Sequence, residues 1–225
     1  MELPRFGLDH ELTKIREDIL RMGSMIERCV TWSVPDASAH AKGAITEATR
    51  RASHLRQRIE RTGLTTLATQ HPAARDLRRV IAAMHIAHEL ERSAEHCRDI
   101  GKMYGSGSKS CSMPVLLQMR DHLATMLHDS MDAYVRGNVQ MAIEVVRHDT
   151  VLDEARAEVV REVLSSRDAH MPVELLLRMY WTAHHLERIG DRAVNICERV
   201  MFEATGHLID ASQPVVQRWV GHSTP

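Results

Sequence analysis

Pro72 and Pro172 stand 100 residues apart in this chain of 225, and so do the dipeptides Leu77-Arg78 and Leu177-Arg178. Farther on, Ala-His-Glu-Leu-Glu-Arg at 87–92 returns as Ala-His-His-Leu-Glu-Arg at 183–188, now at an offset of 96. The four-residue difference is about one helical turn, so it shortens a helix without rotating its inward face. Self-similarity at this period restricts the chain to two copies of one supersecondary unit in series.

The unit is helical. Leu12, Ile15, Ile19, Met22, Ile26 and Cys29/Val30 recur at three- and four-residue steps, one apolar face of a long first helix starting near Leu8, with Asp9 as its N-cap. Pro35 forces the residue before it out of helical geometry and ends that helix. A second helix is expected over about 37–69, with Ala44, Ile45, Ala48, Leu55, Ile59 and Leu67 facing inward. Gly63 weakens it without stopping it. Pro72 suits the first turn of a third helix reaching about Tyr104. A Gly/Ser-rich linker follows at 105–114, and the pattern restarts: a helix from Leu116 to Arg136 closed by Gly137-Asn138, a second from Val139 to about Leu164, and a third from Pro172 to about Thr205. The expected fold is therefore all-α, two tandem three-helix bundles: a first repeat at 8–104, the linker, a second repeat at 115–206, and a partly ordered tail at 207–225.

Composition agrees and excludes several classes. Aromatic residues make up only 4% of the chain, which suits helix seams better than a strand-rich core. Lys and Arg number 29 against 30 Asp and Glu, without the basic excess of a nucleic-acid binder. Cys29, Cys97, Cys111 and Cys197 form no C-x-x-C pair, so neither a zinc knuckle nor a disulfide framework is expected. No basic segment precedes an apolar run at the N-terminus, and no stretch approaches a membrane span. The expected location is the cytoplasm.

The chemistry lies in carboxylates. The middle helix of the second repeat carries Asp149-x-x-x-Asp153, and the third carries Glu187-x-x-x-Asp191. Acids at i and i+4 share a face about 5–6 Å apart and repel unless the face is wet or a cation sits between them. If the two helices pack antiparallel, four carboxylates form an oxygen cage for iron, manganese or magnesium, and His184 adds a nitrogen. With 30 acids in the chain, roughly four such pairs arise by chance, and a single pair usually marks a solvated face. Position raises the value of these: Glu187/Asp191 and Glu91/Glu95 occupy equivalent places after matching Ala-His segments. The first repeat is poorer, because Asp149 and Asp153 map onto Thr49 and Ser53, beside Arg50 and Arg51. Nearby His54 offers partial compensation. No nucleophile–base set is visible among the 15 histidines and the hydroxyls. A di-metal oxidase of the ferritin-like class needs Glu-x-x-His pairs. This chain has none, only the reverse order in His88-x-x-Glu91 and His184-x-x-Glu187. A metal-free structural helical protein is the other alternative.

The segments at 67–100 and 180–208 resemble the PhoU family, regulators associated with the phosphate-specific ABC transporter. Pro72-Ala-Ala-Arg-Asp76-Leu77-Arg78 is similar to the family's P-x-A-x-D-L-R helix start, and its L-E-R-I-G-D-x-A-x-N-I signature stands whole at 186–196. The resemblance implies iron, zinc, manganese or magnesium bound through Asp149, Asp153, Glu187 and Asp191, with Glu91 and Glu95 as a second set. It implies a negative regulator of phosphate uptake and of the phosphate-starvation response, contacting the transporter's ATPase subunit and a membrane sensor histidine kinase, and dimeric in many members. The first repeat departs from the signature, reading Leu90-Glu-Arg-Ser-Ala-Glu95.

Overall fold

The structure, a computed structural model, describes residues 6–34, 39–104, 114–165 and 171–208. Six α-helices account for nearly all of them: α1 (Phe6–Ser33), α2 (Ala39–Gln70), α3 (Ala74–Met103), α4 (Pro114–Arg136), α5 (Val139–Ser165) and α6 (Val173–Thr205). Among the described residues there is no strand. Helices α1–α3 pack on one another as one bundle and α4–α6 as the other, so the chain is two tandem three-helix bundles. The Pro35 break, residues 105–113 of the linker, part of the loop before Pro172, Cys111 and the tail from residue 209 lie outside the described residues.

The apolar periodicity of α1 holds along its length. Leu8, Ile15, Ile19, Met22, Ile26, Cys29 and Val30 are buried and Leu12 is half-buried. Assignments change at four helix starts; α4 begins at Pro114, which the expected linker at 105–114 included. Helix α1 starts at Phe6, which places Asp9 in its first turn rather than at the N-cap, where a carboxylate still meets the positive end of the helix dipole. Pro72 lies ahead of α3, whose extended N-cap residue is Ala73, and Pro172 is itself the N-cap residue of α6. Along α2, Ile45, Ala48 and Ile59 are buried, while Ala44, Leu55 and Leu67 are half-buried at the edge. Gly63 earns its place by closeness: a Cβ there would stand 2.9 Å from Met84 Sδ and 3.1 Å from a Val80 methyl on α3.

Helix ends follow local chemistry. At the α4–α5 corner Gly137 takes φ +59°, its N–H donates to Tyr134 O, and the Asn138 N–H donates to Ala133 O, the paired bonds of a Schellman ending. The Asn138 side chain then accepts from the Met141 N–H at 3.1 Å and caps α5. Gly206 ends α6 at φ +81° with its N–H on Phe202 O.

The two bundles meet along α1 against α4 and α3 against α6, leaving α2 and α5 at the outer edges. Arg16, near the start of α1, donates to Val135 O near the end of α4, and Arg120, near the start of α4, donates to Val34 O at 2.6 Å, so these helices run antiparallel. A single apolar core runs through both bundles, including Ile26, Ile86, Leu123 and Ile189. Burial of large aliphatic side chains, each contributing about 1.5–3 kcal/mol, is what holds the repeats together. Three cysteines, Cys29, Cys97 and Cys197, are buried as free thiols, and burial pushes Cys29 up to about 11, so they are packing residues rather than ligands.

Candidate functional site

The antiparallel packing of α5 on α6 brings the second-repeat acids into one electrostatic neighbourhood. Glu187 and Asp191 are half-buried, and so is Asp149. It is pushed up to about 6, first by burial and then by the charges of Asp153, Asp191 and Glu187. Its Oδ1 lies over Gly190, 3.3 Å from where a Cβ would stand, so the glycine of the Ile-Gly-Asp segment gives the carboxylate room. Glu187 is also raised, by burial and then by Asp191, against Arg156, Arg188 and His184, which lower it. Its Oε2 is buried without a hydrogen-bond partner, and so is His184 Nδ1, 3.8 Å away. Asp191 is held by Arg188 at 3.2 Å, and Asp153 is exposed.

This set gathers four oxygen donors and one imidazole on two facing helices. As they stand, no three His, Cys, Asp or Glu side chains among the described residues converge closely enough to hold a metal ion. The donor chemistry nevertheless suits a hard or borderline cation, and two of the atoms, Glu187 Oε2 and His184 Nδ1, are buried polar groups without a hydrogen bond, although Arg188 Nε stands 3.7 Å from Glu187 Oε2.

The first repeat solves the same positions differently. Glu91 accepts from Ser53 Oγ at 2.6 Å, and Arg56 Nε lies 2.5 Å from its other oxygen. Glu95 pairs with Arg92 at 2.5 Å. Thr49, the counterpart of Asp149, is buried and donates to Ile45 O and, across the helix contact, reaches Ala94 O, the counterpart of Gly190. A carboxylate and a glycine have thus become a hydroxyl and an alanine, and an arginine occupies the space beside the remaining acid. His54 does not compensate: it lies against Arg50 on the opposite side of α2 and lines the α1/α2 groove.

Sequence reading missed two contacts that cross the bundle seam. Glu89 on α3 accepts from Arg192 and from Asn195 of α6, both at 3.1 Å. His96 and His185 approach Nδ1 to Nδ1 at 3.1 Å, and His96 is pushed down to about 4, chiefly by burial and then by His185 and two arginines. His185 is lowered as well, chiefly by burial, and two neutral rings satisfy this contact when one donates to the other. Nothing in helical periodicity links α3 to α6; the only signal was the repeat itself, which placed both residues near matching Ala-His segments.

No helix among the described residues is long and apolar enough to cross a membrane. Family comparison places a PhoU domain at residues 19–103 and again at 116–200. A phosphate-specific transport system accessory protein PhoU homologue of Caulobacter vibrioides is 30% identical over 91% of this chain and 92% of its own length. The phosphate-specific transport system accessory protein PhoU of Escherichia coli K12 is 28% identical over 87% of this chain and 84% of its own. The crystal structure of the phosphate transport system regulatory protein PhoU from Streptococcus pneumoniae superposes with a TM-score of 0.83 at 24% identity, covering 90% of this chain and 99% of that one. PhoU from Pseudomonas aeruginosa gives the same score at 23% identity. With two copies of the domain spanning most of its residues, and a relative aligned over nearly its whole length, the chain belongs to the PhoU family.

Proposed function

We propose that this protein is a cytoplasmic, non-enzymatic regulator of phosphate-specific transport that represses phosphate uptake and the phosphate-starvation response. It works as a homodimer between the ATPase subunit of a phosphate ABC transporter and a membrane sensor histidine kinase. The observation that carries this reading is the family relationship over the full domain pair, together with relatives named as accessory and regulatory proteins of that transport system. A strain lacking the gene and carrying a phosphate-starvation reporter tests it: the reporter turns on in high phosphate. Repression that continues without the gene sinks the reading.

The same reading includes one carboxylate metal site, in the second repeat, held by Asp149, Asp153, Glu187 and Asp191 with His184 beside them and occupied by iron, manganese, zinc or magnesium. The raised Asp149 and the buried Glu187 oxygen that accepts no hydrogen bond support it. When bound, the cation neutralises mutual repulsion and ties α5 to α6; the residues themselves supply oxygen donors and orientation. The pairing of Glu91 with Arg56 argues for one site rather than two. Elemental analysis after purification without chelators or metal-affinity resin checks this, with metal expected in the wild type and lost in Asp153→Ala/Asp191→Ala. Equal metal content in both proteins rejects the site.

A further inference from the structure

The register between the repeats carries contacts as well as sequence. Buried positions set it: Ile45, Ala52 and Ile59 of α2 match Val145, Leu152 and Val159 of α5 at an offset of 100, and Ala87 and Leu90 of α3 match Ala183 and Leu186 of α6 at 96. In this register the Arg92–Glu95 pair of α3, at 2.5 Å, returns as Arg188–Asp191 of α6 at 3.2 Å. One pair does not return. Arg56 of α2 holds Glu91 of α3 at 2.5 Å, and their counterparts, Arg156 of α5 and Glu187 of α6, stand unjoined.

Arg156 is half-buried, its Nε is enclosed without a hydrogen bond, and it forms no ion pair among the described residues. Glu187 Oε2 is the matching acceptor, buried and accepting no hydrogen bond. Of the cations that lower Glu187 against its burial, Arg156 acts most strongly, ahead of Arg188, whose Nε stands 3.7 Å from Oε2. Two exchanges account for the separation. In the first repeat Glu60 anchors Arg56 at 2.6 Å and the Ser53 hydroxyl donates to Glu91. The second repeat has Val160 and Asp153 at those places, so the anchor is lost and a like charge replaces the donor. Closing the pair needs only a change of side-chain rotamer, because the first repeat makes it across the same helix contact.

We infer that Arg156 is a built-in competitor of the cation for Glu187, paired with that carboxylate when the site holds no metal and standing off from it when metal is bound. This rests on the carboxylate site of the proposed function and adds its regulation. Half-buried carboxylates on facing helices need a counter-charge. Arg188 is already held by Asp191, which leaves Arg156 to supply it from α5. One guanidinium on a long stem balances one or two oxygens, whereas a divalent cation gathers several carboxylates at once. The α5/α6 contact is therefore tied in both states, and the site fills only where free metal outcompetes the arginine. In the first repeat Glu60 and Ser53 lock the same arginine switch shut.

Calorimetric titration of manganese(II) into the full-length protein, stripped with EDTA and desalted, tests the assignment. Arg156→Met keeps an apolar stem over the helix seam and removes the charge, so it is expected to bind manganese about tenfold or more tightly than wild type. Arg156→Lys restores the charge and returns the affinity to within about threefold of wild type, which a packing role for the stem would not require. Without metal, Arg156→Met melts below wild type, because Glu187 has lost its counter-charge, and saturating manganese removes the difference. Unchanged helical circular dichroism shows that the variants fold. Binding seen in Arg156→Met alone is the same result at its limit. Manganese affinity in Arg156→Met equal to or below that of wild type, with Asp153→Ala/Asp191→Ala giving no binding heat, overturns the competitor and leaves the metal site standing. Heat that is the same in wild type, Arg156→Met and Asp153→Ala/Asp191→Ala overturns the site and the competitor together, while the reporter strain tests the regulatory role separately.

Discussion

The Cδ1 of Leu152 on α5 lies 2.5 Å from the point where a Cβ would stand on Gly190 of α6. No Cβ fits at that distance, so the leucine and the missing side chain are one packing unit. The counterparts in the first repeat are Ala52 and Ala94, both buried: two small side chains meet where the second repeat sets a large one against none. Asp149 sits beside Leu152 over the same glycine, so this exchange also decides which repeat has room for a carboxylate.

Gly190→Val is therefore expected to destabilise the protein by about 1–3 kcal/mol through overpacking. Combined with Leu152→Ala, its effect is strongly non-additive, because the smaller partner frees the space. Urea denaturation of both single variants and the double variant measures the coupling. Additive costs reject the shared-volume account.

Asp149 gives the metal-free protein a specific pH dependence. Its folded value, about 6, lies above the usual 3.8, so between these values the folded state holds a proton that the unfolded state has lost. Stability from this group is present below pH 3.8 and is lost as pH rises through about 6. After chelation, Asp149→Asn is expected to gain on the order of 1–2 kcal/mol over wild type as pH crosses that window, discounted for solvent screening. Parallel pH profiles of the two proteins contradict this.

In the first repeat, Arg56→Ala leaves Glu91 with only the Ser53 hydrogen bond among the described residues and also strips Glu60 of its 2.6 Å ion pair. A cost of about 1–3 kcal/mol is expected, because the Glu91 side chain is only 12% exposed and its charge loses its counter-ion. Adding Glu91→Gln recovers part of that loss. Thermal melts that place the double variant below Arg56→Ala contradict a charge-balancing role for the arginine.

The α4–α5 corner depends on backbone conformation alone. A Cβ on Gly137 meets nothing within 4 Å, but φ is +59°. Gly137→Ala is expected to cost about 1 kcal/mol, and Asn138→Ala about 1 kcal/mol more through loss of its cap. Gly137→Asn, which tolerates the left-handed region, costs less than Gly137→Ala. Equal melting temperatures for those two variants reject the conformational explanation.

Much of the molecule was legible in the chain. Apolar spacing marks the faces of α1 and α2, prolines and Gly137-Asn138 punctuate the helices, and the offsets of 100 and 96 expose the duplication, because helix formation and capping depend on residues within a turn or two of each other. The four acids of the second repeat were legible for the same reason: i and i+4 spacing is local. Tertiary structure decided what spacing leaves open. Only packing shows that Asp149 is a half-buried carboxylate pushed up by its neighbours and Asp153 an exposed one, that Arg56 sits on Glu91, and that Glu89 and His96 tie α3 to α6. Burial and charge coupling depend on which helices come within a few ångströms of each other, and a helix's own periodicity carries no information about its neighbour.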